Sequence, residues 1–537
     1  MWEQGIDPTG QLWLSALIAA APVLAFLLCL TVFRMTGIAS GVVAVVLQVA
    51  VAVWPFGMPA ASIAGAALLG VLTAVWPIAY IIVMAVWLYR LAVASGRFDV
   101  IRASISGVSP DQRIQVLLIT FAFGAFLEGA AGFGVPIAIC AALLVQLGFG
   151  PVKAAMLSLV ANVAAGAYGA IGIPVIVGAQ VGDVDLDDLG FFMVVVLQLL
   201  ALVVPFVLVA ILDGPRGLRE TWPVTLAVSL AYSIAQAGVL IFLGPELADI
   251  LPGLAAMVVV FAMGRVWKPA HVYREDGGTA PEPERQSLRD VVVAWSPFYI
   301  LTAVVFAWSI PWAKALFAEG GTFAGTVFSV PIPGITGVVV PAGADEASSA
   351  VWTFSPIGAT GTAILLAVLI TFFTTPQLSR TQLLEELEAT VRMLWKPIAL
   401  IALVLIVANI ANHSGGSASI GNALAAVGAL FPLLSPVIGW FGVFVTGSVV
   451  NNNTLFAALQ HITADRIGVD PTLLVAANTA GGAVAKIVSP QSIAIAAGAV
   501  GLSGREGEIL RTSIGYSLAM LGGISVWVML LSLAMPA

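Results

Sequence analysis

Charge is what this chain has least of. Only 9% of its 537 residues are Asp, Glu, Lys or Arg, against about 25% in soluble proteins. Hydrophobic residues make up 60%, and the mean hydropathy is +1.06. This excludes a soluble globular protein and leaves an integral membrane protein with little mass outside the bilayer. Cysteine is equally scarce: Cys29 and Cys140 both lie in apolar segments and offer neither a disulfide framework nor a metal spacing. The chain has no HExxH, no paired intramembrane aspartates and no Walker lysine loop, which argues against an intramembrane protease or an ATP-driven pump. GAAGFG carries its glycines in the wrong order for a dinucleotide loop. Neither an enzyme nor a bound cofactor is expected, and no nucleic-acid partner.

What is present is apolar sequence in long runs. A bilayer core of about 30 Å needs about twenty apolar residues per helix. Twelve runs qualify, near 11–33, 37–54, 61–89, 155–177, 190–212, 222–243, 248–265, 291–310, 350–372, 397–413, 472–500 and 513–534. The acidic start and the length of the first run mark a retained span rather than a cleaved signal. Cytoplasmic loops carry the excess of Lys and Arg. Arg34, the Arg90/Arg97/Arg102/Arg113 loop, Arg216/Arg219, the 264–290 linker, Arg380/Arg392/Lys396 and Arg505/Arg511 then share one side. The opposite loops, PFGMPA, GDVDLDD (Gly182 to Asp188) and GPELAD, are poor in both. Gly277 to Gln286 is Gly/Pro/charge-rich and reads as the linker between the halves. Ser379 to Lys396 reads as a short amphipathic surface helix or a solvated connector, and Gly320 to Ser349 has no legible place.

The chain also repeats itself. FGAFLEG (Phe123 to Gly129) returns as FGVFVTG (Phe441 to Gly447), and LVANVAAGAYGAIGIP (Leu159 to Pro174) returns as VAANTAGGAVAKIVSP (Val475 to Pro490). The second pair shares seven of sixteen positions, and in both copies Asn precedes Pro by twelve residues, at Asn162/Pro174 and Asn478/Pro490. Gly- and Pro-interrupted segments at matching positions of two halves point to the binding site of a secondary transporter. The alternation of charged loops holds only if 114–150 and 434–466 each enter and leave on one side, so both read as re-entrant hairpins. Irregular backbone at membrane depth needs protein or a water-filled cavity around it. The expected architecture is an all-α polytopic protein of about twelve spans plus two re-entrant hairpins in two inverted repeats. Residues 1–265 hold repeat 1 (hairpin 114–150, broken span 155–177) and residues 291–537 hold repeat 2 (hairpin 434–466, broken span 472–500). A cytoplasmic linker, 266–290, joins them.

Few residues can carry chemistry in such a chain. Glu128, in FLEGAAGFG, is the only acid between Asp111 and Asp183; an ionisable group at that depth is by default a functional hypothesis. It suits a proton carrier, or a structural carboxylate that fixes the hairpin. Lys486 lies midway through a charge-free apolar run and needs a partner, either a substrate carboxylate or an internal acid, of which Glu128 is the obvious one. The second tip offers Ser448, Asn451, Asn452, Asn453 and Thr454. Neutral hydroxyls and amides suit a small hydroxylated anion, but Ser, Asn and Thr also cap helices. Asn162 and Asn478 can bond unwound backbone or ligand, and Ser489 and Gln491 flank Pro490 and can line a cavity. His413, at the end of a span, is a proton relay or simply interfacial.

These stretches resemble the L-lactate permease family, and the similarity runs from end to end. DPTGQLWLSALIAA, SPDQRIQ, FGAFLEGAAGFGVPIAI, AWSPF, IPWAKALFAEGG, TGTAIL, NHSGGSAS, LLVAANTAGGAVAKIVSPQSIAIA and VGLSGREGE carry it, in family order. The resemblance implies a plasma-membrane symporter that imports L-lactate or the related glycolate with protons. It also implies a scaffold and an elevator-like transport domain, with homo-oligomerisation through the scaffold. The coupling ion would be H+, with Na+ or a dicarboxylate substrate as the alternative and an anion channel a further one. Three departures stand out. The second tip reads GSVVNNN where the family usually has GSDTSSN, with Val449 in place of an Asp. NVAAGAYGAIG replaces NTAPVAFGAMG and places Tyr168 in the broken span, an expected substrate contact. NTAGGAVAK replaces NTTGGVTGK and loses hydroxyls at Ala480 and Ala485. A drier pocket with an added aromatic would then favour a less hydroxylated or larger monocarboxylate.

Overall fold

The structure is a computed structural model and describes residues 1–275, 287–318, 320–342 and 346–535; the linker read at 277–286 lies outside them. The described chain is helical apart from two short strand pairs. Nine of its helices are long and apolar enough to cross a bilayer, and two bent pairs bring the number to eleven.

The differences from the twelve expected runs have local causes. Runs 190–212 and 222–243 meet with almost no loop between them, as two helices within Leu186–Phe242 that fold back on each other: Gln198 Nε2 donates to the Ser233 carbonyl and Ser229 Oγ to that of Leu202, each at 2.6 Å. Gly214, at φ 61 and ψ −152, makes the bend between them in a conformation open essentially to glycine alone. The apparent surface helix at 379–396 is instead the first half of a single helix, Arg380–Ser414, started by a capping box of Ser379 and Gln382. Run 350–372 begins as a strand, Val351–Phe354, antiparallel to Phe328–Pro331, and turns helical only at Thr360. Val339–Val340 pairs in parallel with Trp2–Glu3, so the segment without a legible place is stitched to the N-terminus. It packs so closely on the helix from Ala60 that a Cβ at Gly65 would lie 2.2 Å from the Pro333 carbonyl oxygen.

The repeated motifs sit inside the protein. Gln112–Ala130 is wholly buried along its apolar window and Pro471–Ala499 is 94% buried, whereas the other seven straight candidates are 28–50% buried. Half-buried spans have a face left for lipid; the two buried ones are wrapped by protein, which lets their backbone break. Gln112–Ala130 and Val135–Gln146 form the first hairpin, and Phe431–Thr446 and Val449–Ile467 form the second. The first broken helix, Pro151–Ala164 and Gly169–Gly182, bends by 48°. The second, Pro471–Ala485 and Pro490–Ala499, breaks at Lys486–Ser489.

Close backbone approach holds these elements together. A Cβ on Gly439 would lie 1.9 Å from the Asn478 carbonyl oxygen, and one on Gly481 would lie 1.8 Å from that of Pro436. The second hairpin therefore crosses the second broken helix at a small-residue contact, as helices pack in membranes.

Candidate substrate and coupling site

Each hairpin tip is aimed at a break. At the first tip Gly132, Phe133 and Gly134 all take positive φ, and in the first broken helix so do Ala170, Ile171 and Gly172. Left-handed backbone costs an L-residue roughly 1–2 kcal/mol, so Ala170 and Ile171 are held there by their surroundings. Gly132 abuts Ala170, where a Cβ would come within 3.0 Å, and at the second tip a Cβ on Gly447 would lie 2.3 Å from Gln491 Oε1.

Where the four elements meet lies a cleft enclosing about 600 Å³ of non-atom space, open solvent included. The first hairpin contributes Glu128, Phe133 and Gly134, and the first broken helix Gly166, Gly169, Ala170, Ile173 and Pro174. Gly447, Ser448, Val449 and Val450 come from the second tip, and Lys486, Gln491, Ser492 and Ile495 from the second break.

Glu128 and Lys486 meet at this cleft. Lys486 Nζ donates to Glu128 Oε1 at 2.7 Å, with side-chain exposures of 10% and 2%. Asn162 Nδ2 donates to Glu128 Oε2 at 2.8 Å. Both carboxylate oxygens are thereby satisfied, while an ammonium has three donors to give and this one gives a single hydrogen bond among the described residues. Two helices also begin at the cleft. Ser448 Oγ accepts the N–H of Asn451, and Ser489 Oγ accepts that of Ser492. Val449 and Val450, at the start of their helix, keep first-turn N–H groups with no intrahelical acceptor. Such a terminus favours an anion. The cleft thus offers one lysine, free helix N–H groups, and the polar side chains of Ser448, Gln491 and Ser492.

The other sequence candidates are placed differently. Asn452, Asn453, Thr454 and Asn478 are buried and do not line the cleft. Asn453 Nδ2 donates to the Pro174 carbonyl at 2.8 Å, and its Oδ1 accepts from Asn478 Nδ2 and from Thr479. Asn452 Nδ2 reaches the Asn478 carbonyl, and Thr454 turns back onto the Val450 carbonyl. These amides tie the second hairpin to both broken helices. Asn451 is buried beside the tip, with its Oδ1 lacking a partner. Ser489 is consumed by capping and by Ser492 Oγ. His413 ends Arg380–Ser414, where Gln4 bonds its carbonyl, and it does not line the cleft.

Tyr168 is also outside the lining residues, so the expected aromatic in the pocket gives way to another arrangement. It is buried and interacts electrostatically with Asp249, as does Tyr232. Asp249 lies in GPELAD, a short loop that is packed inside the protein rather than left in water. Pro245–Leu247 and Asp249 are buried, because Gly172 in the first break lets Pro245 pack onto its backbone. The signal in the sequence is an acid directly ahead of the apolar ILPGLAAMVVV. Arg97 and Arg113, also in a charged connection, are likewise buried.

Two glycines make room for the ion pair. A Cβ on Gly166 would lie 2.9 Å from Lys486 Cδ, and one on Gly169 would lie 2.4 Å from Glu128 Oε1. Gly169→Ala must therefore displace the carboxylate, with an overpacking penalty of about 1–3 kcal/mol. The expected outcome is an initial transport rate at least roughly tenfold lower, at 1.4 kcal/mol per tenfold, from protein that still purifies as a folded species. An unchanged rate would mean that the pair's geometry does not matter to transport.

Comparison with known proteins gives a consistent picture. A family model described as L-lactate permease matches residues 15–535. An L-lactate permease from Halalkalibacterium halodurans is 47% identical over 537 residues, covering 99% of this chain and 100% of its own. Glycolate permease GlcA of Escherichia coli strain K12 is 42% identical over 543 residues, with 98% and 97% covered. An L-lactate permease of Bacillus subtilis strain 168 is 39% identical, with 97% and 96% covered. Among solved structures, the Alcanivorax borkumensis YdaH transporter aligns at a TM-score of 0.42 and 14% identity, covering 84% of each chain.

Proposed function

Because the chain belongs to the L-lactate permease family, we propose that it is a secondary carrier importing L-lactate or glycolate by proton symport. It is a multi-pass protein of the plasma membrane. In this reading the halves are inverted repeats of a twelve-span protein. The two hairpins and broken helices, with the helical segments Leu186–Phe242 and Ile250–Val266 packed on them, form the moving transport domain, and the other spans form the scaffold and any homo-oligomeric contact.

One observation carries the proposal: a buried Lys486–Glu128 pair at a cleft where two helices begin. The substrate carboxylate takes the two spare donors of Lys486 and the N–H groups of Val449 and Val450. Ser448, Gln491 and Ser492 hydrogen-bond the 2-hydroxyl. As the anion claims the ammonium, Glu128 loses its counter-charge and takes a proton, so anion and proton travel together. Lys486 is the single Lys or Arg among the described residues lining the cleft, which favours a monocarboxylate over a dicarboxylate, whose second charge would lack a partner. The relatives' printed names, L-lactate permease and glycolate permease, both denote small 2-hydroxymonocarboxylates.

The test is uptake of labelled L-lactate and glycolate into proteoliposomes under an inward proton gradient, with and without sodium, together with counterflow. Expected are gradient-driven uptake indifferent to sodium, and acceleration by substrate on the far side. Sodium-dependent uptake would replace the coupling ion, and uptake without trans-stimulation would indicate a channel.

A further inference from the structure

Next to the ion pair lies a second carboxylate that it does not use. Asp249 begins the helix Ile250–Val266 yet makes no side-chain cap to it, although capping is the ordinary employment of an Asp there. It is 1% exposed. Its Oδ1 receives one long hydrogen bond, from Tyr232 at 3.4 Å, and its Oδ2 has no partner among the described residues. It stands against the first hairpin at the residue after Glu128: a Cβ on Gly129 would lie 2.8 Å from Asp249 Cβ. The titratable groups facing it are Glu128, Lys486 and Tyr232, together with Tyr168 from the first break. Tyr168 brings a buried hydroxyl that also lacks a partner. Gln236 completes the wall, donating to the Tyr232 hydroxyl and to the Ala164 and Ala248 carbonyls.

A buried carboxylate left this unsatisfied is costly. Two carboxylates here lie near one ammonium, which bonds Glu128 alone among the described residues. With a monocarboxylate bound, the fixed charges are three negative and one positive, so the loaded site is neutral only with two protons.

We propose that Asp249 is a second proton-binding residue of the carrier, so that two protons accompany each monocarboxylate. The proposal rests on the proton-symport reading above and deepens it. In the loaded carrier one proton sits on Glu128 and one on Asp249. After the anion leaves, both protons pass to water on the receiving side, and Lys486 is shared by the two carboxylates during the return. Two protons and one anion move one net positive charge inward per cycle.

The experiment compares wild-type protein and Asp249→Asn in proteoliposomes, at equal pH on both sides, with a potassium diffusion potential. For one net charge, an inside-negative potential of 100 mV raises the lactate accumulation ratio by roughly 50-fold. Wild type is expected to approach this. Asp249→Asn is expected to retain lactate exchange and uptake driven by a pH gradient, with an accumulation ratio that ignores the potential. A wild type indifferent to potential overturns the inference, as does a variant that responds like wild type. If Asp249→Asn fails to exchange lactate, Asp249→Glu must restore potential-driven uptake; its failure to do so also overturns the inference. Absence of any lactate uptake by wild type would instead strike the functional reading itself.

Discussion

Lys486→Met is expected to abolish lactate transport and to destabilise the protein by about 3–5 kcal/mol, because it leaves Glu128 buried without its counter-charge. Adding Glu128→Gln should recover most of that stability and none of the transport. A buried ion pair is often replaceable by neutral groups of similar size at little cost, whereas breaking one side of it is not. Gln keeps the acceptor for Asn162 Nδ2, and Met keeps most of the volume of the lysine stem beside Gly166. Thermal midpoints in detergent for the wild type, both single variants and the double variant give the coupling directly. Uptake rates on the same four proteins ask a separate question. A double variant that is stable and inactive assigns the pair to transport. A stable double variant that still carries lactate under a proton gradient would make the pair structural and move the coupling elsewhere.

Glu128 and Lys486 were legible because a charge inside an apolar run has few explanations, and their pairing was the simplest of them. The breaks were legible because glycine and proline recur at matching places in the two motifs. What could not be read was direction. Asn451, Asn452 and Asn453 are consecutive on a helix, so they must face different ways; the structure turns Asn452 and Asn453 towards the broken helices and leaves the cleft to Ser448 and the backbone at Val449 and Val450. Asp249 was hidden for a different reason. A short loop between spans looks the same in sequence whether it lies in water or is drawn inward, and here the backbone contact between Gly172 and Pro245 decides.

Arg113→Leu is the other substitution expected to have a large effect, about 3 kcal/mol or more lost in a thermal or denaturant titration in detergent. Arg113 is 1% exposed and opens the first hairpin. It holds Asp111 at 2.8 Å, Asp213 at 2.8 Å and Glu220 at 2.9 Å, donates to the His271 carbonyl, and lies over the Tyr273 ring. Removing it leaves three carboxylates facing one another, two of them partly exposed and able to recruit water, which places the loss near the lower end of the range. Arg113→Lys keeps the charge but not the planar fork that reaches several acceptors at once, so an intermediate loss is expected. A leucine variant as stable as wild type would show that the cluster is screened and contributes little. The cluster has a mechanical meaning as well. Asp213 and Glu220 bracket the break at Gly214, so Arg113 fastens the base of the hairpin bearing Glu128 to the bend between two adjacent helices. Asp249 follows the second of them after a short turn and meets Glu128 from the other side. The two carboxylates proposed to bind protons are thus held by elements tied at one end through Arg113 and at the other through Gly129 and Asp249. They would travel as one body past the scaffold, which is what carrying both protons with a single anion requires.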